Sequence, residues 1–141
     1  MLRPLASLAL VATLGGCATQ VVATDGSIIR TVRFAETARE DGLQVTPISL
    51  VEDSRCPTGV QCIQAGTVRI EARIVDRGGG RTAIIGLGVP ARLEGGWVSL
   101  VGTCPYPVHG TRIAPRDYLF TLALTTAAAP PVVDVRACPT R

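Results

Sequence analysis

The sequence predicts an all-β domain, an antiparallel β-sandwich of about seven or eight short strands, with a small β-barrel as the alternative. Three observations carry this expectation. Apolar and charged residues alternate from Val68 to Ile74, the period of a strand with one buried face. Short β-branched runs recur along the chain, separated by turns drawn from 15 Gly and 10 Pro. No stretch carries a convincing helical period. The 141 residues are one domain's worth of chain, and a hydrophobic content of 47% excludes wholesale disorder.

The chain opens with an address. Met1-Leu2-Arg3 is a short basic start, Pro4 to Leu14 is apolar, and small residues follow. That is the layout of a signal peptide, here residues 1–16. No apolar run reaches the roughly 18 residues of a spanning helix. The end of the segment, Leu14-Gly15-Gly16-Cys17, resembles the lipobox of bacterial lipoproteins. The resemblance implies that Cys17 is the lipidation site, carries diacylglycerol and palmitate, and becomes the first mature residue. Two or more acyl chains suffice for stable anchoring. Ala18 follows the cysteine where Asp would signal retention at the inner membrane. The resemblance therefore implies a lipid-anchored protein of the cell envelope, at the outer membrane.

Residues 17–25 read as lipid attachment and tether, and residues 26–141 as a single β domain. Ile28 to Phe34 is β-branched, with Arg30 facing water. Ala35 to Asp41 has room for one helical turn. Leu43 to Val51 is apolar, and its Pro47 marks an edge or a bulge. The Val68–Ile74 strand leads into Arg77-Gly78-Gly79-Gly80-Arg81, a hairpin loop returning through Thr82 to Leu87. That glycine run lacks the Lys-Ser/Thr of a phosphate-binding loop. Trp97 to Val101 follows the Gly95-Gly96 turn, and Tyr118, Phe120, Leu122 and Leu124 form one face of another strand. After Ala127 to Pro131, Val132 to Val135 read as a last strand.

Five cysteines are an odd count for an exported protein. Assigning Cys17 to lipid leaves Cys56, Cys62, Cys104 and Cys138, an even set suited to two disulfides in an oxidising compartment. Four cysteines permit three pairings. The local one, Cys56–Cys62 with Cys104–Cys138, is expected because the first two flank a tight turn containing Pro57 and Gly59. Loop-closure entropy gives about 2.4 kcal/mol for the short loop and about 3.8 kcal/mol for the long one. Neither interval matches the C-x₂₋₄-C knuckles of zinc sites, so no metal is expected.

One segment stands apart, Glu52 to Gly66. It resembles the D-S-R-C-P…C-x-x-A-G stretch of a group of small secreted proteins and lipoproteins of bacteria. Asp53, Ser54, Arg55, Cys56 and Pro57 match the first block, and Cys62, Ala65 and Gly66 the second. Glu36-Thr37-Ala38 and Tyr118 to Leu124 look similar to flanking parts of that group. The chain departs at Gln64, where the group carries an aromatic, usually Trp. The resemblance implies a compartment and a fold and transfers no activity. Read from its residues, the segment is a disulfide-closed turn that presents Thr58, Val60 and Gln61. Beside it, Asp53 and Arg55 either offer charge to a partner or turn inward onto neighbouring strands. A preorganised loop loses little entropy on docking.

Function is read mostly by exclusion. The arginines are scattered among acids, and the net charge is +3, so there is no basic stripe and nucleic acid is not a partner. The chain holds 1 His and few aromatics. The expected function is therefore a non-enzymatic, lipid-anchored envelope module that binds another envelope protein or serves a structural role, with no cofactor. Two alternatives remain. One is an envelope hydrolase built on His109 with Ser27, Ser49, Ser54 or Ser99 as nucleophile, although G-x-S-x-G is absent. The other is a protease inhibitor using the Cys56–Cys62 loop.

Overall fold

A computed structural model describes residues 21–22, 25–132 and 138 of the chain. The signal peptide, Cys17 and all but the first residue of the expected Val132–Val135 strand lie outside these residues. Among the described residues are nine strands: β1 (Val21–Val22), β2 (Ile28–Val32), β3 (Ala38–Glu40), β4 (Leu43–Asp53), β5 (Val68–Asp76), β6 (Gly79–Gly86), β7 (Ala91–Leu93), β8 (Gly96–Cys104) and β9 (Leu119–Thr125). They form two antiparallel sheets, ordered β1-β2-β9-β8-β7 and β3-β4-β5-β6. The sheets do not close on each other, so the molecule is the sandwich and not the barrel.

Alternation explains which faces meet. In β5, Val68, Ile70, Ala72 and Ile74 are buried while Arg69 and Arg73 are exposed. In β9, Phe120, Leu122 and Leu124 are buried. These two rows, with Val45, Ile85, Val98 and Leu100, make one continuous core between the sheets. Burial of such side chains contributes about 1.5–3 kcal/mol each relative to exposure.

The hairpin after β5 is tighter than the glycine run suggests. Asp76 pairs with Gly79, so Arg77-Gly78 is the turn and Gly79 to Arg81 already belong to β6. The expected helical turn at Ala35–Asp41 is instead an irregular bend followed by β3. Ala38 is buried against the core, and Asp41-Gly42, both with positive φ, turn the chain directly into β4. Asp-Gly is a two-residue hairpin signal, and it outweighs the weak helical preference of the preceding residues. Pro47 sits past the end of β3 and at a register shift of β4, where its carbonyl accepts the Ala35 amide at 2.9 Å. Val21–Val22, in the stretch read as tether, pairs with Ile28–Ile29 and joins the sheet.

Two ends result. One gathers the segment between β4 and β5 and the segment between β8 and β9. The other gathers the β5–β6 and β7–β8 turns, where the Arg77 amide donates to the Glu94 carbonyl at 3.3 Å. Here the buried Asp76 carboxylate accepts the Gly78 and Glu94 amides, each at 2.9 Å, and pairs with Arg81 at 2.8 Å. Burial works against its charge, but these donors outweigh that penalty and hold the carboxyl below its usual range.

Candidate functional site

The segment singled out in the sequence leaves β4 at Asp53 and returns into β5 at Val68. Its base is a polar network between the sheets. Arg55 grips Asp53 in a fork, Nε to Oδ1 at 2.8 Å and Nη2 to Oδ2 at 2.7 Å. Its remaining edge donates from Nη1 to the Thr103 carbonyl of β8 at 2.6 Å. Tyr118, just before β9, donates its hydroxyl to Asp53 Oδ2 at 2.9 Å. The Tyr106 ring covers the guanidinium with its centroid 5.6 Å away. The side chains of Arg55 and Asp53 are only 6% and 8% exposed. Of the two roles open to this pair, the geometry is the inward one, since every edge of the guanidinium is already engaged within the fold.

The network sets the ionisation of its members. Burial disfavours the Asp53 charge, yet the donors Arg55 and Tyr118 overcome it and hold the carboxyl below its ordinary range. The Tyr118 hydroxyl is pushed up to about 12, first by burial and then by the adjacent Asp53 carboxylate.

Next to this pair the two arms of the segment are clamped together. The Ser54 amide donates to the Thr67 carbonyl at 2.8 Å, and the Thr67 amide donates to Ser54 Oγ at 3.0 Å. Ser54 Oγ in turn donates to Glu52 at 2.8 Å. Gly66 is required by this approach, because a Cβ there would overlap the Ser54 carbonyl. The D-S-R and A-G blocks are thus the two sides of one closed neck.

Beyond the neck the chain is exposed. Cys56 bonds to Cys62 with their Cα atoms 5.9 Å apart, and Cys104 bonds to Cys138 at 5.4 Å, the expected pairing. Thr58, Gly59, Val60 and Gln61 all face solvent. The stapled loop is braced by the segment after β8: the Thr58 amide donates to the Pro107 carbonyl at 2.9 Å, and the His109 amide to the Thr58 carbonyl at 3.4 Å. This brace brings four exposed apolar side chains onto the two joined loops, Val60, Ile63, Tyr106 and Val108. Ile63 is fully exposed. Gln64 is exposed too, so an aromatic at that position would enlarge the same apolar surface.

No family model, curated protein or solved structure matches the chain. What the end of the sandwich does is therefore read from its own geometry. Beside the loop lies a cavity of about 450 Å³, walled by Leu50, Pro57, Pro107, Arg112, Ile113 and Tyr118 among others. Among the described residues, no hydrogen bond joins the His109 side chain to any serine of the hydrolase alternative. Ser27 and Ser99 are buried, Ser49 donates to Glu71 at 2.9 Å, and Ser54 is held in the neck. His109 is exposed on the bracing loop.

Several members of the site are not apparent in the sequence reading. In the sequence Tyr118 reads as part of an apolar face, although a tyrosine among inward-facing residues signals a polar partner for its hydroxyl. Ile63, Tyr106 and Val108 carried no periodic signal. The Thr103 carbonyl carries none at all, because backbone acceptors are invisible before the chain is folded.

Proposed function

We propose that the chain is a lipid-anchored module of the bacterial cell envelope, held at the outer membrane through Cys17, that binds another envelope protein and catalyses no reaction. The observation that carries the binding role is the exposed apolar surface of Val60, Ile63, Tyr106 and Val108 on two loops made rigid by a disulfide and a backbone bridge. Large apolar side chains left exposed on adjoining loops are the kind of surface that interaction sites use. Two disulfides suit an oxidising compartment, which supports export. The resemblance of Leu14 to Cys17 to a lipobox supports the anchor. Within the stapled loop, Thr58, Val60 and Gln61 are the contact residues; Asp53 and Arg55 hold the loop in place.

The test is crosslinking and capture from membranes with Ile63→Ser and Val108→Ser, both cysteine pairs kept, together with thermal melting. Reduced capture at an unchanged melting temperature supports the contact; full capture with both variants removes it. His109→Ala is expected to leave capture intact. The anchor is checked separately by Cys17→Ser, which is expected to abolish the acyl mass on the mature protein and its partition into detergent. A wild-type protein that leaves fully processed with the aqueous phase contradicts the anchor.

A further inference from the structure

The end of the sandwich opposite the stapled loop holds a second concavity. Arg77, Arg92 and Trp97, with Gly95, Gly96 and residues Thr126 to Ala128, line a pocket of about 220 Å³. Arg92 and Trp97 face each other across β7 and β8, and the guanidinium lies 5.2 Å from the centroid of the indole. The indole is itself held, since Trp97 Nε1 donates to the Ala128 carbonyl at 3.3 Å. Arg77 comes from the β5–β6 turn and folds over Gly95. A Cβ on that residue would meet Arg77 Nε at 3.0 Å and Cδ at 3.1 Å, and its φ of +104° independently favours glycine. Glycine here leaves the arginine room to lean over the turn.

The charges at this end do not cancel at the pocket. Asp76 is consumed by Arg81 and two backbone amides. Glu94, the other acid of these turns, lies against Gly78. Among the described residues, neither Arg77 nor Arg92 has a carboxylate within ion-pair distance. Two guanidinium groups, one from the β5–β6 turn and one from β7, neither ion-paired among the described residues, thus share one small polar pocket, one of them oriented by an aromatic ring.

We propose that this pocket binds a phosphate monoester. A guanidinium presents a planar fork of donors that matches phosphate oxygens, and such charge-assisted pairs are about twice as strong as neutral hydrogen bonds. A phosphate monoester has enough acceptor oxygens to occupy both arginines, and the pocket leaves space for the group esterified to it. The same chemistry is offered by a soluble phosphate ester and by the headgroup of a phosphatidic acid membrane.

Trp97 is the 1 Trp of the chain and lines the pocket, so its emission reports occupancy directly. The full-length protein in neutral detergent is titrated with glycerol 3-phosphate, with glycerol as control. Separately, the protein in phosphatidylcholine vesicles is compared with and without phosphatidic acid. The expected result is a saturable change in emission that weakens with salt and shifts about tenfold or more to higher concentration in Arg77→Gln and in Arg92→Gln. Arg112→Gln, at the other end, leaves it unchanged. Melting curves confirm that the variants are folded. An arginine-dependent response to glycerol 3-phosphate supports the site with a soluble ester as ligand, and a response to phosphatidic acid alone supports it with a headgroup. No saturable response in either arm, or one indifferent to both arginine variants, overturns it.

Discussion

Asp53, Arg55 and Tyr118 show how much of one end rests on three side chains. Removing one partner of a buried ion pair leaves the other charge uncompensated, which costs about 3–5 kcal/mol. Asp53→Asn is expected to cost that much at neutral pH, because Arg55 loses its counter-charge and keeps only neutral partners, the Thr103 carbonyl, the Tyr106 face and one amide oxygen, while the new NH2 faces the Arg55 and Tyr118 donors. The folded-state value of Asp53 is depressed, so its contribution is present above the unfolded carboxylate value of about 3.9 and is lost as pH falls through the lower folded one. Denaturation of wild type and Asp53→Asn at neutral and strongly acidic pH tests this; the gap between them should narrow on acidification. A gap of constant size shows that the charge of Asp53 adds nothing. At the alkaline side the sign is reversed. Tyr118 stays protonated in the folded state up to about 12, so its contribution is full below the unfolded value of about 10 and is lost as pH rises from there. The sequence shows Asp53 and Arg55 two residues apart and leaves both orientations open. What decides between them is Thr103 and Tyr118, far away in the chain and near only once the sheets have packed.

Among the elements, those with two unlike faces are the legible ones. β5 places apolar residues at every second position because one face meets the core, and its span follows from that pattern; β9 keeps that row at Phe120, Leu122 and Leu124 although Ala123 and Thr125 on its other face are buried too. β3 and β7 are three residues each, too short to establish a period, and β1 has two. The neck of the stapled segment was legible as a turn and illegible as a close approach. Gly66 is where that matters. Gly66→Ala places a methyl group on the Ser54 carbonyl, so the neck must open and give up the Ser54–Thr67 hydrogen bonds. The expected cost is about 1–3 kcal/mol, as for other forced overpacking. Gly59→Ala in the exposed tip meets no atom nearby and costs only the strain of its positive φ. Melting of the two variants side by side checks the order. If Gly59→Ala is the more damaging, the neck does not hold the loop.

At the scale of the whole molecule the sandwich keeps its two ends apart. β5 runs between them, and its nine residues at about 3.3 Å per residue span roughly 30 Å. The interior between them is a packed apolar core, and among the described residues no hydrogen-bonded chain of polar groups leads from Asp53 to Arg77. Charges separated by more than about 8 Å are largely screened at physiological salt when exposed, so the arginines of one end exert little field on the other. Sites this distant, without shared partners, behave additively. The protein-contact surface and the phosphate pocket are therefore expected to be independent. Ile63→Ser should lower partner capture and leave the Trp97 response to glycerol 3-phosphate where it was. Arg77→Gln should weaken that response and leave capture unchanged, and the double variant should show both losses without excess. Capture and fluorescence titration on the same four proteins make the comparison. If glycerol 3-phosphate alters capture by the wild type and not by Arg77→Gln, the ends are coupled, and the core must have two packings that the ligand and the partner select between.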